Sequence, residues 1–194
     1  MKVVALTGAG ISKAAGIPTF EEIDGIKEKL SLDFKKQYPK EFDEAINLLI
    51  NNVKDKEPTK AHIALADLQI PIITMNVDGL HRKAGSRLVL EIHGNYEKNN
   101  IVLYGQDIHY RNESINLILQ TATKAKLFNE KAMLLVIGTS MQTMFANMLT
   151  YFAEQCEMKV HFINENAEEE VPKFLKENVF LHKEIKDYSS PSSV

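Results

Sequence analysis

The chain has 194 residues, 44% of them hydrophobic, enough for one domain with a sizeable core. Its 23 basic and 26 acidic residues leave a net charge of -3, which excludes a global pull toward nucleic acid or an anionic membrane. The single cysteine, Cys156, excludes an intramolecular disulfide or a cysteine-built zinc cluster within this sequence, and it reads as a core residue of a cytoplasmic protein.

The opening run MKVVALTGAG passes straight into a glycine turn, so no secretory leader is expected, and no apolar run approaches the length of a membrane span. Residues 2–7 (KVVALT) read as the first strand. Residues 21–40 have mixed charge and weak periodicity, and read as a flap or short helices over the sheet edge. Over 41–53, Phe42, Ala45, Ile46, Leu49, Ile50 and Val53 fall on one helical stripe. A helix over 59–69 starts at a Thr59 cap behind Pro58. Apolar strands are expected at 71–76, 88–93 and 101–104. A helix over 113–128 carries Ile115, Ile118, Leu119 and Ala122, with Asn112 as its cap. Strand 133–140, helix 143–155, strand 159–164 and helix 168–177 complete the series, and the polar end 188–194 reads as a frayed tail. This alternation predicts an α/β fold: a doubly wound, mostly parallel Rossmann-type sheet with helices on both faces, in a single domain over 1–187 with an insertion at about 21–58.

Ligands of such sheets bind beyond the carboxyl ends of the strands. Four predicted strand ends are polar or carry glycine: TGAGIS, TMNVDG, HGN and GTSMQ. Gly8 and Gly10 allow a tight turn, which either brings backbone N–H groups up to a diphosphate at a helix start or serves packing alone. No GxxxxGK[ST] loop occurs, and Lys13 stands where a GxGxxG pattern needs its third glycine. Gly16-Ile17-Pro18 then breaks the new helix and sends a loop back over the ligand, with Phe20 near its mouth. A dehydrogenase would continue that helix to support its cofactor.

The segments GAGISKAAGIPTF (8–20), TMNVDGLHRKAG (74–85), EIHG (91–94), IVLYG (101–105), GTSM (138–141) and FINEN (162–166) occur in the order found in sirtuins. The chain resembles that family over nearly its whole length. The resemblance implies a site in which NAD is consumed. The bond between nicotinamide and ribose is broken, and an acyl group passes from a lysine side chain to the ADP-ribose. Nicotinamide leaves as a neutral base and needs no general acid; the demands are a charge developing on the ribose and the exclusion of water. By resemblance, Gly8, Ala9, Gly10, Ile11, Ser12, Pro18 and Phe20 contact NAD. Asp78 accepts a hydrogen bond from the carboxamide, with Ile17 nearby, and Asn76 orders the ribose and a water. An Asn-x-Asp at a strand end also fits plain turn chemistry. His93 has a pKa suited to a general base near neutrality and resembles the residue that takes a proton through the ribose hydroxyls. Gly138, Thr139 and Ser140 resemble phosphate and ribose contacts, and Asn164 and Glu165 resemble contacts to the adenosine ribose. Val102, Tyr104 and Gly105 resemble a segment that pairs with an acyl-lysine peptide through backbone hydrogen bonds. His62 and His81 match family positions and read as scaffold.

Three departures stand out. Most sirtuins carry a four-cysteine zinc module after the His-Gly pair, whereas here only NYEKNN (95–100) separates Gly94 from Ile101. No structural zinc is therefore expected, and one wall of the peptide cleft is missing or comes from a second subunit. Glu21 stands where the family has arginine, and Met75 where it has glutamine. No Tyr-x-x-Arg pair occurs over 30–55, so a preference for acidic acyl groups lacks support. Two other functions fit the same residues: an NAD glycohydrolase or ADP-ribosyltransferase, and a non-catalytic module that binds NAD or ADP-ribose.

Overall fold

The computed structural model describes residues 1–19 and 21–180. Phe20, the last residues of the expected domain (181–187) and the expected tail at 188–194 lie outside the described residues. Five strands, β1 (Lys2–Thr7), β2 (Ile72–Thr74), β3 (Val89–Glu91), β4 (Ala132–Ile137) and β5 (Lys159–Ile163), form one sheet in the order β3-β2-β1-β4-β5. Every neighbouring pair is parallel. A 3-10 helix (Ala9–Ala15) and helices α1 (Ile26–Lys29), α2 (Leu32–Gln37), α3 (Pro39–Val53) and α4 (Lys60–Asp67) lie between β1 and β2. Helix α5 (Leu80–Lys83) joins β2 to β3, α6 (Arg111–Leu127) leads to β4, α7 (Met144–Gln155) to β5, and α8 (Ala167–Leu175) follows.

The pleat of β1 explains the two layers. Val3 and Ala5 pack with Ala61 and Leu65 of α4 and Val171 and Leu175 of α8 on one face. Val4 and Leu6 pack with Ile118 and Ala122 of α6 and Leu149 and Ala153 of α7 on the other. A strand covered on both faces has no polar side to show, which is why these runs are apolar throughout. From β1 the chain steps outward to β2 and β3, then returns so that β4 lies on the other side of β1. The ends of β1 and β4 therefore flank the point where strand order reverses, the place where sheets of this kind take ligands.

Helices α1, α2 and α3 add a layer of their own: Ile26, Leu30, Ala45 and Leu49 cluster with Val77 from the segment after β2. Thr59 begins α4 as expected. Its hydroxyl accepts from the His62 N–H and His62 Nδ1 accepts in return from the Thr59 N–H, a reciprocal cap. Three expectations need correction. Asn112 does not cap α6; the cap is Tyr110 at φ 53°, whose carbonyl accepts from both the N–H and the hydroxyl of Ser114. Leu119 is exposed, because the inner stripe of α6 runs through Ser114, Ile118, Ala122 and Ala125. Residues 101–104 form no strand: Gly105 at φ 90° turns the chain so that Gln106 N–H donates to the Leu103 carbonyl (3.0 Å), and only Tyr104 bridges, in parallel, to Ser31. Cys156 ends α7 half-buried at the margin of the core. Among the described residues no helix is long and apolar enough to cross a membrane.

Candidate active site

The glycine turns after β1 and β4 lie against each other. Gly10 N–H donates to the Gly138 carbonyl (2.8 Å), and Gly138 N–H reaches the Ile163 carbonyl (2.9 Å). A Cβ on Gly10 would lie 2.6 Å from the Gly138 Cα, and one on Gly8 2.8 Å from the Gly138 carbonyl oxygen. The first demand for glycine is thus the mutual approach of two backbones across the switch point. The 3-10 helix that follows stops at Gly16 (φ 74°), and Ile17 turns back to pack with Val53 and Leu80. Ala9 is half-buried, and Ile11 is enclosed in the core. Pro18 lies half-buried on the returning loop.

A polar chain crosses the ends of β1 and β2. Asn76 Nδ2 donates to Ser12 Oγ (3.1 Å), and the Ser12 hydroxyl donates to Asp78 Oδ2 (2.7 Å). The other Asp78 oxygen, Oδ1, accepts from the Leu80 N–H (3.0 Å) at the start of α5. All three side chains are buried. Burial pushes the Asp78 carboxyl up from its ordinary 3.8, against the hydrogen bonds from Ser12, Leu80 and Asn76 that favour its charged form. Val77, between Asn76 and Asp78, points into the α1–α3 cluster, as alternation along an extended segment requires.

His93 follows β3, and its Nδ1 lies 3.0 Å from the Met75 carbonyl, one residue before Asn76. A carbonyl only accepts, so Nδ1 carries the proton and Nε2 keeps its lone pair. Burial pulls the His93 pKa below 6.5, with the Met75 carbonyl opposing. The structure thus joins His93, Asn76, Ser12 and Asp78 through adjacent backbone and side-chain contacts at the ends of β1, β2 and β3. Sequence reasoning named all four but gave no sign that Ser12 links Asn76 to Asp78.

On the other side of the switch point, Asn164 Oδ1 accepts from the Thr139 N–H (3.1 Å) and so binds the end of β5 to the second glycine turn. Ser140 and Glu165 are exposed. An open cavity of about 430 Å³ lies at this end, lined by Phe162, Asn164, Glu165, Glu170 and the stacked rings of His161 and Phe174 (4.3 Å between centroids). The sequence gives His161 no role and does not single out Phe174, because their stack forms between an edge strand and a helix, thirteen residues apart.

A family model for the Sir2 family matches residues 8–169. The chain belongs to the Sir2 family. An NAD-dependent protein deacetylase of Sulfurisphaera tokodaii is 44% identical over 105 residues, which cover 49% of this chain and 42% of that protein. One from Chromobacterium violaceum is 29% identical over 208 residues, covering 84% of this chain and 81% of that one. The chain thus spans under half the length of the first of these relatives. Among solved structures, a Sir2 homolog–NAD complex superposes with a TM-score of 0.78 at 22% identity, over 91% of this chain and 88% of that one. A Sir2 complex with p53 peptide and NAD+ gives 0.76 at 24%, over 92% and 94%. At that identity the likeness shows the fold.

The departures now have structural settings within this Sir2 chain. Glu21 is exposed and pairs with Lys27 (3.2 Å), whose ammonium also reaches Gln142 (2.9 Å). Glu21 thus has a cationic partner six residues on, at the start of α1. Met75 is buried, and its sulfur accepts from the Thr143 hydroxyl (3.4 Å). The short 95–100 loop closes on itself. Asn95 N–H donates to Asn100 Oδ1 (2.8 Å), and Lys98 pairs with buried Glu91 (2.6 Å), which Arg82 and Asn95 also contact. Among the described residues no group of three or more His, Cys, Asp or Glu is placed to hold a metal ion. Tyr104 uses its N–H on the Leu30 carbonyl (2.9 Å) and its carbonyl on the Leu32 N–H (3.1 Å). Val102 N–H is spent on the His93 carbonyl (2.9 Å), and Gly105 is exposed at the turn.

Proposed function

We propose that this Sir2 chain is an NAD-dependent protein-lysine deacylase that releases nicotinamide and O-acyl-ADP-ribose. The observation that carries the reading is the buried Asn76–Ser12–Asp78 chain with the free Nε2 of His93 beside it. NAD supplies the glycosidic bond that breaks and the ADP-ribose that takes up the acyl group. The residues fit such a ligand: two glycine turns flank the switch point, a polar group of buried side chains lies on one side, and an open cavity at Asn164 and Glu165 lies on the other. Asp78 is shielded, already bonded through both oxygens, and set to accept from a carboxamide. Asn76 shares Ser12 with it, so the two side chains hold one another in place. His93, held by the Met75 carbonyl, offers Nε2 as the proton acceptor. Ile17 and the α1–α3 layer cover this side and limit water. The acyl-lysine peptide lies along Val102, Tyr104 and Gly105. The lone cysteine favours a cytoplasmic setting.

A second reading, NAD glycohydrolysis, is favoured by one observation: the Tyr104 backbone groups expected to receive a peptide are engaged by Leu30 and Leu32. Mass spectrometry of NAD products with and without an acetyl-lysine peptide separates the two. Deacylation gives O-acetyl-ADP-ribose only with peptide, whereas hydrolysis gives ADP-ribose without it. Either activity is lost in His93→Ala, and a chain that leaves NAD intact across an acyl panel refutes both.

A further inference from the structure

Glu91 ends β3 two residues before His93, and its side chain is buried. Burial pushes its carboxyl up, but the bonds from Lys98, Asn95 and Arg82 outweigh that and hold it below its ordinary 4.5, so Glu91 is charged at neutral pH. A buried charge is stable only where partners fill its acceptor positions. Here Oε1 accepts from Asn95 Nδ2 (2.6 Å), and Oε2 faces both Lys98 Nζ (2.6 Å) and Arg82 Nε (3.2 Å).

These three partners belong to the two segments that flank Asp78. Arg82 lies in α5, the helix whose Leu80 N–H donates to Asp78 Oδ1 (3.0 Å). Its guanidinium also donates to the Val89 carbonyl (2.7 Å), so both ends of β3 hold it. Asn95 and Lys98 lie in the short 95–100 loop. The Asn95 side chain lies against Gly79, where an added Cβ would come 3.2 Å from Nδ2. Asn95 Oδ1 accepts from the Glu97 N–H (2.8 Å), which leaves Nδ2 as the atom that faces Glu91. The next residue, Tyr96, donates its N–H to the Val77 carbonyl (3.1 Å). One carboxylate therefore ties α5 and the loop to residues 77–80. Its charge also reaches Asp78, adding to the larger effect of burial in pushing that carboxyl up.

We propose that Glu91 is a positioning residue for Asp78: its carboxylate clamps Arg82 of α5 together with Asn95 and Lys98 of the 95–100 loop around the turn that carries Asp78. Arg82 fixes the helix whose first N–H holds Asp78 Oδ1. Asn95 and Lys98 fix the loop whose Tyr96 N–H holds the Val77 carbonyl next door. Glu91 acts on the reaction only through Asp78. It should therefore govern the nicotinamide end of NAD and leave the ADP-ribose end alone. That functional side rests on the proposed reaction, in which Asp78 grips the carboxamide; the clamp itself does not.

The test is amide hydrogen exchange of the full chain, with kinetics beside it. Glu91→Gln keeps the size of the side chain and removes the charge that faces Lys98 and Arg82. The Leu80 and Tyr96 amides should then exchange at least about tenfold faster, while those of β1 and β4 keep their protection. In the same variant kcat for nicotinamide release should fall about tenfold, because Asp78 is no longer held in register. The inhibition constant of ADP-ribose, which lacks the carboxamide, should stay within about twofold. Should Glu91→Gln not fold, Lys98→Met removes a single cation from the exposed side of the cluster. It should quicken the Tyr96 amide and leave Leu80, which Arg82 still serves. Unchanged exchange at Leu80 and Tyr96 in Glu91→Gln overturns the clamp, as does unchanged Tyr96 exchange in Lys98→Met. Quickening spread equally over β1 and β4, or ADP-ribose binding weakened as much as kcat, overturns the positioning role. A wild-type chain that releases no nicotinamide overturns the proposed function, while the exchange of Leu80 and Tyr96 still decides the clamp.

Discussion

His93 shows how one residue is prepared by two opposed effects. Its half-buried position disfavours the imidazolium, and the Met75 carbonyl favours it, with desolvation the larger effect. A base must be neutral to work, so activity is lost as pH falls through the pKa of His93 in the free enzyme. Because that pKa is lowered, the acid limb of kcat/KM for NAD should have its midpoint below 6.5. A midpoint at or above that value would show that His93 is more solvated in solution, or is not the base. The sequence exposed His93, Asn76 and Asp78 because each follows a recognisable strand in a distinctive tripeptide. It did not expose Ser12 as their link, since that bond joins residues 64 and 66 positions apart. The His62–His81 contact was hidden for the same reason: α4 and α5 bring the rings together, and neither local pattern records it.

At the scale of elements, the parallel strands were legible because full burial leaves a continuous apolar run, and α3 was legible from its stripe. The segment 101–104 was misread because its composition suits a strand while Gly105 and Gln106, just beyond it, set a turn. Asn112 was misread because α6 begins before it: the chain enters the helix at Tyr110 in a left-handed conformation, which puts Asn112 inside the first turn, and no side chain caps that end. The glycine turns carry a sharper test, since two glycines of positive φ differ in what surrounds them. At Gly85, whose φ is 97°, an added Cβ would meet nothing within 4 Å, so Gly85→Ala should cost only the backbone strain, about 1 kcal/mol. Gly138, at φ 60°, faces the Gly10 backbone, and Gly138→Ala should cost more than about 3 kcal/mol and abolish NAD binding. Urea unfolding and calorimetry with NAD check both; similar losses in the two variants would mean that the β1 and β4 turns are not packed as described.

Across the whole molecule, the proposed chemistry depends on two layers meeting at residues 76–78. The sheet and its flanking helices hold Asn76 and Asp78 from below, while Val77 is gripped by Ile26, Leu30, Ala45 and Leu49 from the α1–α3 layer. That layer is the least legible part of the sequence, because α1 and α2 are too short to show a period, and Ile26 and Leu30 find their partners far along the chain, in α3, Val77 and Ile101. Its cluster is small beside the two that sandwich the sheet, so it should open at lower free energy than the sheet. Leu49→Ala removes a buried side chain from it and should cost about 2–5 kcal/mol locally. Hydrogen exchange should then quicken over residues 26–53 while the amides of β1 and β4 keep their protection. Because Val77 loses its seat, KM for NAD should rise in the same variant even though Leu49 is not among the site residues. Exchange that quickens equally in β1 and β4 would show one cooperative body, and the site would then owe its shape to the sheet alone.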